Sequence, residues 1–196
     1  NSQTNNNLQS RSSYQFEGSG YVTIPTASSG LRSLSEGSNS FSAEAWVKLD
    51  ADLDGTSTNY HIMGDEDYED YGWLVRVESS NSNLLNFRMS SGVSGNLTNY
   101  VSSATNSYPD DKKWHHIVVV RSYTNNTYTW SGKIYLDGVE LDVTNSGNWA
   151  EGTTSGVDFS IGEHNPTATS QRWEGEISKV RLYNRDLSAD EVKAYY

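Results

Sequence analysis

The stretch Trp114-His115-His116-Ile117-Val118-Val119-Val120-Arg121, followed by Lys133-Ile134-Tyr135-Leu136-Asp137-Gly138-Val139-Glu140-Leu141, decides the fold class. In the first run Ile117 and Val119 point one way and Val118 and Val120 the other, so it reads as a central strand covered on both faces. In the second run Asp137-Gly138 separates two apolar segments. Asp-Gly in that setting signals a two-residue hairpin turn, because both central positions favour positive φ. A sheet therefore grows here by antiparallel hairpins.

Working outward, the chain of 196 residues is long enough to bury a full core and reads as one domain, residues 14–196, after a polar lead-in at residues 1–13. Within the domain, Tyr14 to Ile24 reads as a first strand pair bent at Glu17-Gly18-Ser19-Gly20 and stopped by Pro25. In Phe41-Ser42-Ala43-Glu44-Ala45-Trp46-Val47-Lys48-Leu49, the odd positions form an apolar face, while Ser42, Glu44, Trp46 and Lys48 share the other. Further strands are expected at 62–64, 73–78, 84–90, 128–136, 157–162 and 176–184. With roughly a dozen strands separated by turn residues, the fold class is an all-β, two-sheet antiparallel jelly-roll sandwich. Ser188-Ala189-Asp190-Glu191 is a capping box that opens a short C-terminal helix, which must pack on the sandwich to be stable.

Composition excludes several functions. With Lys+Arg 14 against Asp+Glu 25, the net charge is −11, which repels nucleic acid and anionic membranes. The absence of cysteine removes disulfides and thiolate metal sites, and no apolar run is long enough for membrane insertion. The start, without Met or signal peptide, reads as a segment joined to other domains of a larger chain.

The blocks Phe16 to Pro25, Phe41 to Val47, Trp114 to Val118, Ile134 to Val139, Ser160-Ile161-Gly162 and Trp173 to Ser188, in this order, resemble the concanavalin A-like lectin/glucanase jelly roll of the laminin G-like type. The resemblance implies a secreted or cell-surface module that binds glycans or proteins, often with calcium, attached to a bacterial hydrolase or adhesin. Many relatives carry Asp where this chain has Ser178, near a structural calcium beside the bend that starts at Glu17. Loss of that carboxylate removes charge that a hard cation wants.

The acidic segment Asp65-Glu66-Asp67-Tyr68-Glu69-Asp70 is the main candidate for chemistry. Carboxylates this dense repel one another, so the loop is either widely solvated or binds Ca²⁺ through Asp65, Glu66, Asp67, Glu69 and Asp70. If the loop after Gly162 lies beside the Met63-Gly64 strand end, Glu163 and Asn165 complete that site; otherwise they only turn the chain. Tyr68, Tyr71, Trp73 and Trp173 flank the same two loops and, with His164 and Asn165, are the expected carbohydrate contacts: flat rings for pyranose faces, polar groups for hydroxyls. Trp46, on the polar face of its strand, is a further ring of this kind. His115 and His116 point to opposite faces of one strand, cannot share a metal, and read as structural.

The function expected is a non-catalytic carbohydrate-binding module for a neutral or calcium-bridged glycan. One alternative is a protein-binding or spacer module of an adhesin. The other is a glycoside hydrolase or polysaccharide lyase on the same fold. Jelly-roll glycosidases carry Glu-x-Asp-x-x-Glu on one strand, setting the two catalytic groups about 5 Å apart; the acidic segment here has the wrong residues at that spacing.

Overall fold

The period-two alternation is realised in a computed structural model that describes residues 13–17, 20–25, 30–31, 34, 37–53, 58–67, 71–79, 83–91, 97–102, 107–125, 129–146, 157–164 and 171–196. In chain order the strands are β1 (Ser13–Glu17), β2 (Val22–Ile24), β3 (Phe41–Leu49), β4 (Asn59–Gly64), β5 (Tyr71–Glu78), β6 (Leu84–Ser91) and β7 (Leu97–Ser102). They continue with β8 (Trp114–Thr124), β9 (Thr129–Leu136), β10 (Val139–Glu140), β11 (Val143–Ser146), β12 (Phe159–Ile161) and β13 (Glu174–Tyr183), and a helix α1 (Ala189–Tyr195) closes the chain.

A six-stranded sheet has the order β1-β13-β3-β8-β9-β10, and a seven-stranded sheet the order β11-β7-β6-β5-β4-β12-β2. All pairings are antiparallel. The core between them holds the inward side chains of both sheets, including Phe41, Ala43, Ala45, Val47, Ile117, Val119 and Phe159, as the alternation requires, with Ile161 partly buried against it. Tyr14 to Ile24 does not form a strand pair. β1 pairs with β13 and β2 with β12, so the two strands belong to different sheets. Ser13, assigned to the lead-in from composition, opens β1 opposite Ser178.

The central strand behaves as its two-sided apolar pattern demands. β8 lies between β3 and β9, its inner face in the core and its outer Val118 and Val120 covered by Leu187 and Val192 around α1. The helix is anchored by reciprocal bonds between Ser188 and Glu191. In addition, Ser42 Oγ donates to the Arg185 carbonyl and accepts from the Leu187 N–H, both at 2.9 Å. The Asp137-Gly138 turn has φ of 50° and 77°, the two left-handed positions that Asp-Gly supplies. Its carboxylate also works outside the turn: Asp137 Oδ1 accepts the His116 N–H at 2.8 Å, and Oδ2 lies 2.7 Å from His115 Nδ1. On the far side of that ring Nε2 meets Asp111 at 2.9 Å, and the His115 contact, helped by Lys113, holds the Asp111 carboxyl down to about 2. The adjacent histidines are therefore structural, as their opposite directions imply.

Candidate functional site

The two loops singled out in the sequence do come together. β12 runs beside β4 with Ser160 opposite Gly64, and the Gly162 N–H donates to the Ile62 carbonyl at 3.0 Å. The chain then turns back on itself: Glu163 bridges to Arg172, and the His164 N–H donates to the Gln171 carbonyl. Across this junction Glu66 accepts from Arg88 through both carboxylate oxygens, and its Oε2 lies 3.2 Å from His164 Nε2. Burial would raise the Glu66 carboxyl, but the bonds from His164 and Arg88 outweigh it and the net shift is downward. Beside it the His61 and His164 rings lie 5.5 Å apart.

That geometry corrects the metal assignment for three residues. Glu66 is 1% exposed and neutralised by Arg88, with His164 Nε2 beside it. Glu163 is 1% exposed and bound to Arg172 at 2.9 Å. Asp65 Oδ1 accepts the Trp73 N–H at 3.1 Å in a tight approach that needs glycine at 72, where φ is 84° and a Cβ would sit 2.5 Å from the Asp65 carbonyl. Among the described residues no group of three or more His, Asp or Glu side chains is arranged to hold a metal. Asp67 is half-buried, and Glu17 is exposed on β1 opposite Glu174. Tyr68, Glu69, Asp70 and Asn165 lie outside the described residues.

The ring assignment is corrected as well. Trp73 is a core residue, 5.0 Å from Phe41 and 5.8 Å from Phe159, because it shares the inward face of β5 with Val75 and Val77. Trp173 is fully buried, donates through Nε1 to the Lys48 carbonyl at 3.2 Å, and meets Tyr108 edge-on. His164 is buried against Glu66. Their neighbourhood in the sequence looks like a loop, yet their side chains point into the sandwich. Tyr71 opens β5.

Partly exposed tryptophans lie on the outer face of the six-stranded sheet. There Trp46 on β3 stands opposite His116 on β8 and Ser178 on β13, and Lys48 stands opposite Trp114. Where α1 stops covering the sheet, Trp46, Trp114, Ser178 and Lys179 line an open groove. The Trp46 ring is partly exposed, stacked with His116 (centroids 5.2 Å, planes 24° apart) and with Tyr196 (5.9 Å, 12°). Beneath, Glu44 is fully buried between Arg181 and His116. Burial pushes the Glu44 carboxyl up, but His116 and Arg181 outweigh it and hold it low. A bulge between Ser178 and Arg181 sets Lys179 at φ 51°, with Nζ 5.9 Å from the Trp46 ring centre.

Sequence reasoning placed Trp46 on the polar face but did not find Trp114, Ser178 and Lys179. A signal existed: apolar residues sit at 177 and then at 180 and 182, a change of parity that one extra residue must absorb.

A family model described as the concanavalin A-like lectin/glucanases superfamily matches residues 16–193. The chain belongs to that superfamily. No curated protein sequence matches it. Among solved structures it is similar to the binding domain of botulinum neurotoxin serotype D (13% identity, TM-score 0.63, 94% of this chain and 41% of that one). It is also similar to a candidate carbohydrate-binding protein from Bacteroides ovatus (20%, TM-score 0.58, 88% and 43%). A third is domain 4 of AbnA, an extracellular arabinanase of family GH43 from Geobacillus stearothermophilus, in complex with arabinotriose (18%, TM-score 0.56, 92% and 74%). At these identities the likeness is one of fold. The chain spans less than half the length of the first two.

Proposed function

We propose that this superfamily member is a non-catalytic carbohydrate-binding module and that a sugar ring stacks in the groove of Trp46 and Trp114. The observation that carries the reading is the pair of partly exposed indoles on a rigid sheet face, open to solvent where the helix ends. Flat rings there offer an apolar surface to the C–H face of a pyranose or furanose, and Ser178 offers a hydroxyl to the sugar's polar edge. The carbohydrate-binding and arabinotriose-bound neighbours support it. So do Glu44 and Glu66: carboxylates that arginine keeps ionised do not serve as general acids. The setting belongs to the same proposal, a secreted or cell-surface domain within a larger hydrolase or adhesin.

Trp46→Ala and Trp114→Ala, tested on a glycan array, are each expected to weaken binding at least about tenfold, roughly 1.4 kcal/mol. If both variants remain folded and bind like the parent, the groove is not the site. Turnover of a bound glycan would favour an enzyme, and silence of the parent on every glycan a protein-binding or spacer module.

Calcium enters the proposal through composition, with Asp67, Glu69 and Asp70 of the acidic segment as its carboxylate ligands. Adding Ca²⁺ to chelator-stripped protein is expected to release or absorb heat and to raise the melting temperature. No heat and an unchanged melting temperature would remove calcium from the account.

A further inference from the structure

The groove carries a cation that no described carboxylate neutralises, in an acidic protein. Lys48, Lys112, Lys113 and Lys133 each sit within ion-pair distance of a carboxylate. Lys179 does not: among the described residues no carboxylate lies within ion-pair reach of its ammonium, which is exposed over the edge of the groove. Three acids on or next to β3 and β13 already have cationic partners. Glu44 is held by Arg181, and Asp50 and Glu176 are both held by Lys48. The backbone at 179 adopts a left-handed φ that residues with side chains rarely take, and the bulge that imposes it also places the ammonium beside Trp46. Strained positions of this kind concentrate where a side chain must be aimed.

We infer that the groove prefers an acidic sugar, its ring on Trp46 and Trp114 and its carboxylate or sulfate on Lys179. This deepens the carbohydrate-binding reading and depends on it. The net charge of −11 points the other way only at long range. At physiological ionic strength fields decay over about 8 Å, so a contact ammonium outweighs carboxylates spread over the rest of the surface. The ammonium also gives up little on binding, since a cation over an exposed ring is held weakly and stays hydrated.

The test is a glycan array of matched neutral, uronate-containing and sulfated oligosaccharides, read with the parent chain, Lys179→Gln, Lys179→Arg, Trp46→Ala and Trp114→Ala. The parent should bind acidic members more tightly than their neutral counterparts, with the difference shrinking as salt rises. Lys179→Gln should weaken acidic members about fivefold, the scale of an exposed ion pair. Neutral members should lose less than acidic ones, so the preference falls, while Lys179→Arg keeps it. A response on either the carboxylated or the sulfated set supports the inference. Equal binding of neutral and acidic members by the parent, or a preference that survives Lys179→Gln, overturns it and leaves the carbohydrate reading standing. Absence of any glycan signal from the parent, or unchanged binding by folded Trp46→Ala and Trp114→Ala alike, overturns the groove as a sugar site altogether.

Discussion

Trp173→Ala is expected to destabilise the chain by about 3–5 kcal/mol, the cost of deleting a large buried ring and leaving a cavity. The indole is fully buried, packs on Tyr108, and donates to the Lys48 carbonyl, so alanine also strands a buried acceptor between β3 and β13. For a domain of this size the melting temperature should fall by on the order of 10 °C. Thermal unfolding followed by circular dichroism checks it. A protein that melts within a few degrees of the parent would put this ring at the surface after all, and restore it as a sugar contact. The contrast with Trp46→Ala is diagnostic, because the partly exposed ring should change binding far more than stability.

Glu66→Ala should cost a similar amount, about 3–5 kcal/mol, since removing one member of a buried ion pair leaves its partner charged and desolvated. Arg88 is 6% exposed and His164 3%, so neither regains much water when the carboxylate goes. The double replacement Glu66→Leu with Arg88→Met removes both charges and should be less damaging than Glu66→Ala alone. Denaturant titration of the three proteins distinguishes these outcomes; a double variant worse than the single one would show that the pair itself holds the loop.

Acid should attack the same cluster in the parent chain. The His61 ring is pushed well below its usual value, first by burial and then by the charges of His164 and Arg76, against a smaller opposing contribution from Ser160. Its stability contribution is thus complete above about pH 6.5 and declines as pH falls below that, because the unfolded chain takes up a proton that the folded one refuses. Glu66, held low in the fold, adds to the loss below its ordinary value of 4.5. Both shifts have the same sign, so the midpoint of unfolding should drop steadily from neutral pH into acid.

The alternation in β3 and β8, the Asp137-Gly138 turn and the capping box at Ser188 and Glu191 were sufficient to specify two antiparallel sheets and a terminal helix. Each of these signals is local: side-chain period, turn φ and cap geometry all act within a few residues. The sequence alone therefore determined the fold class, the inward faces of the main strands and the opposite directions of His115 and His116.

Pairing between distant segments was decided only by the tertiary structure. Nothing local says that β1 and β2 join different sheets, or that Glu66 finds Arg88 and His164. Without those partners the acidic segment reads as a free set of hard oxygen ligands. With them, its most buried carboxylate is already neutralised. Trp73 and Trp173 were misplaced for the same reason, since a ring next to a loop in sequence turns inward or outward according to which sheet face it lies on. The groove of Trp46, Trp114, Ser178 and Lys179 draws on three strands that are neighbours only in the sheet. Its exposure depends on where a helix that starts at Ala189 stops covering that face. Long-range register, rather than local propensity, sets both, because side chains from β3, β8 and β13 meet only after the sheet has formed.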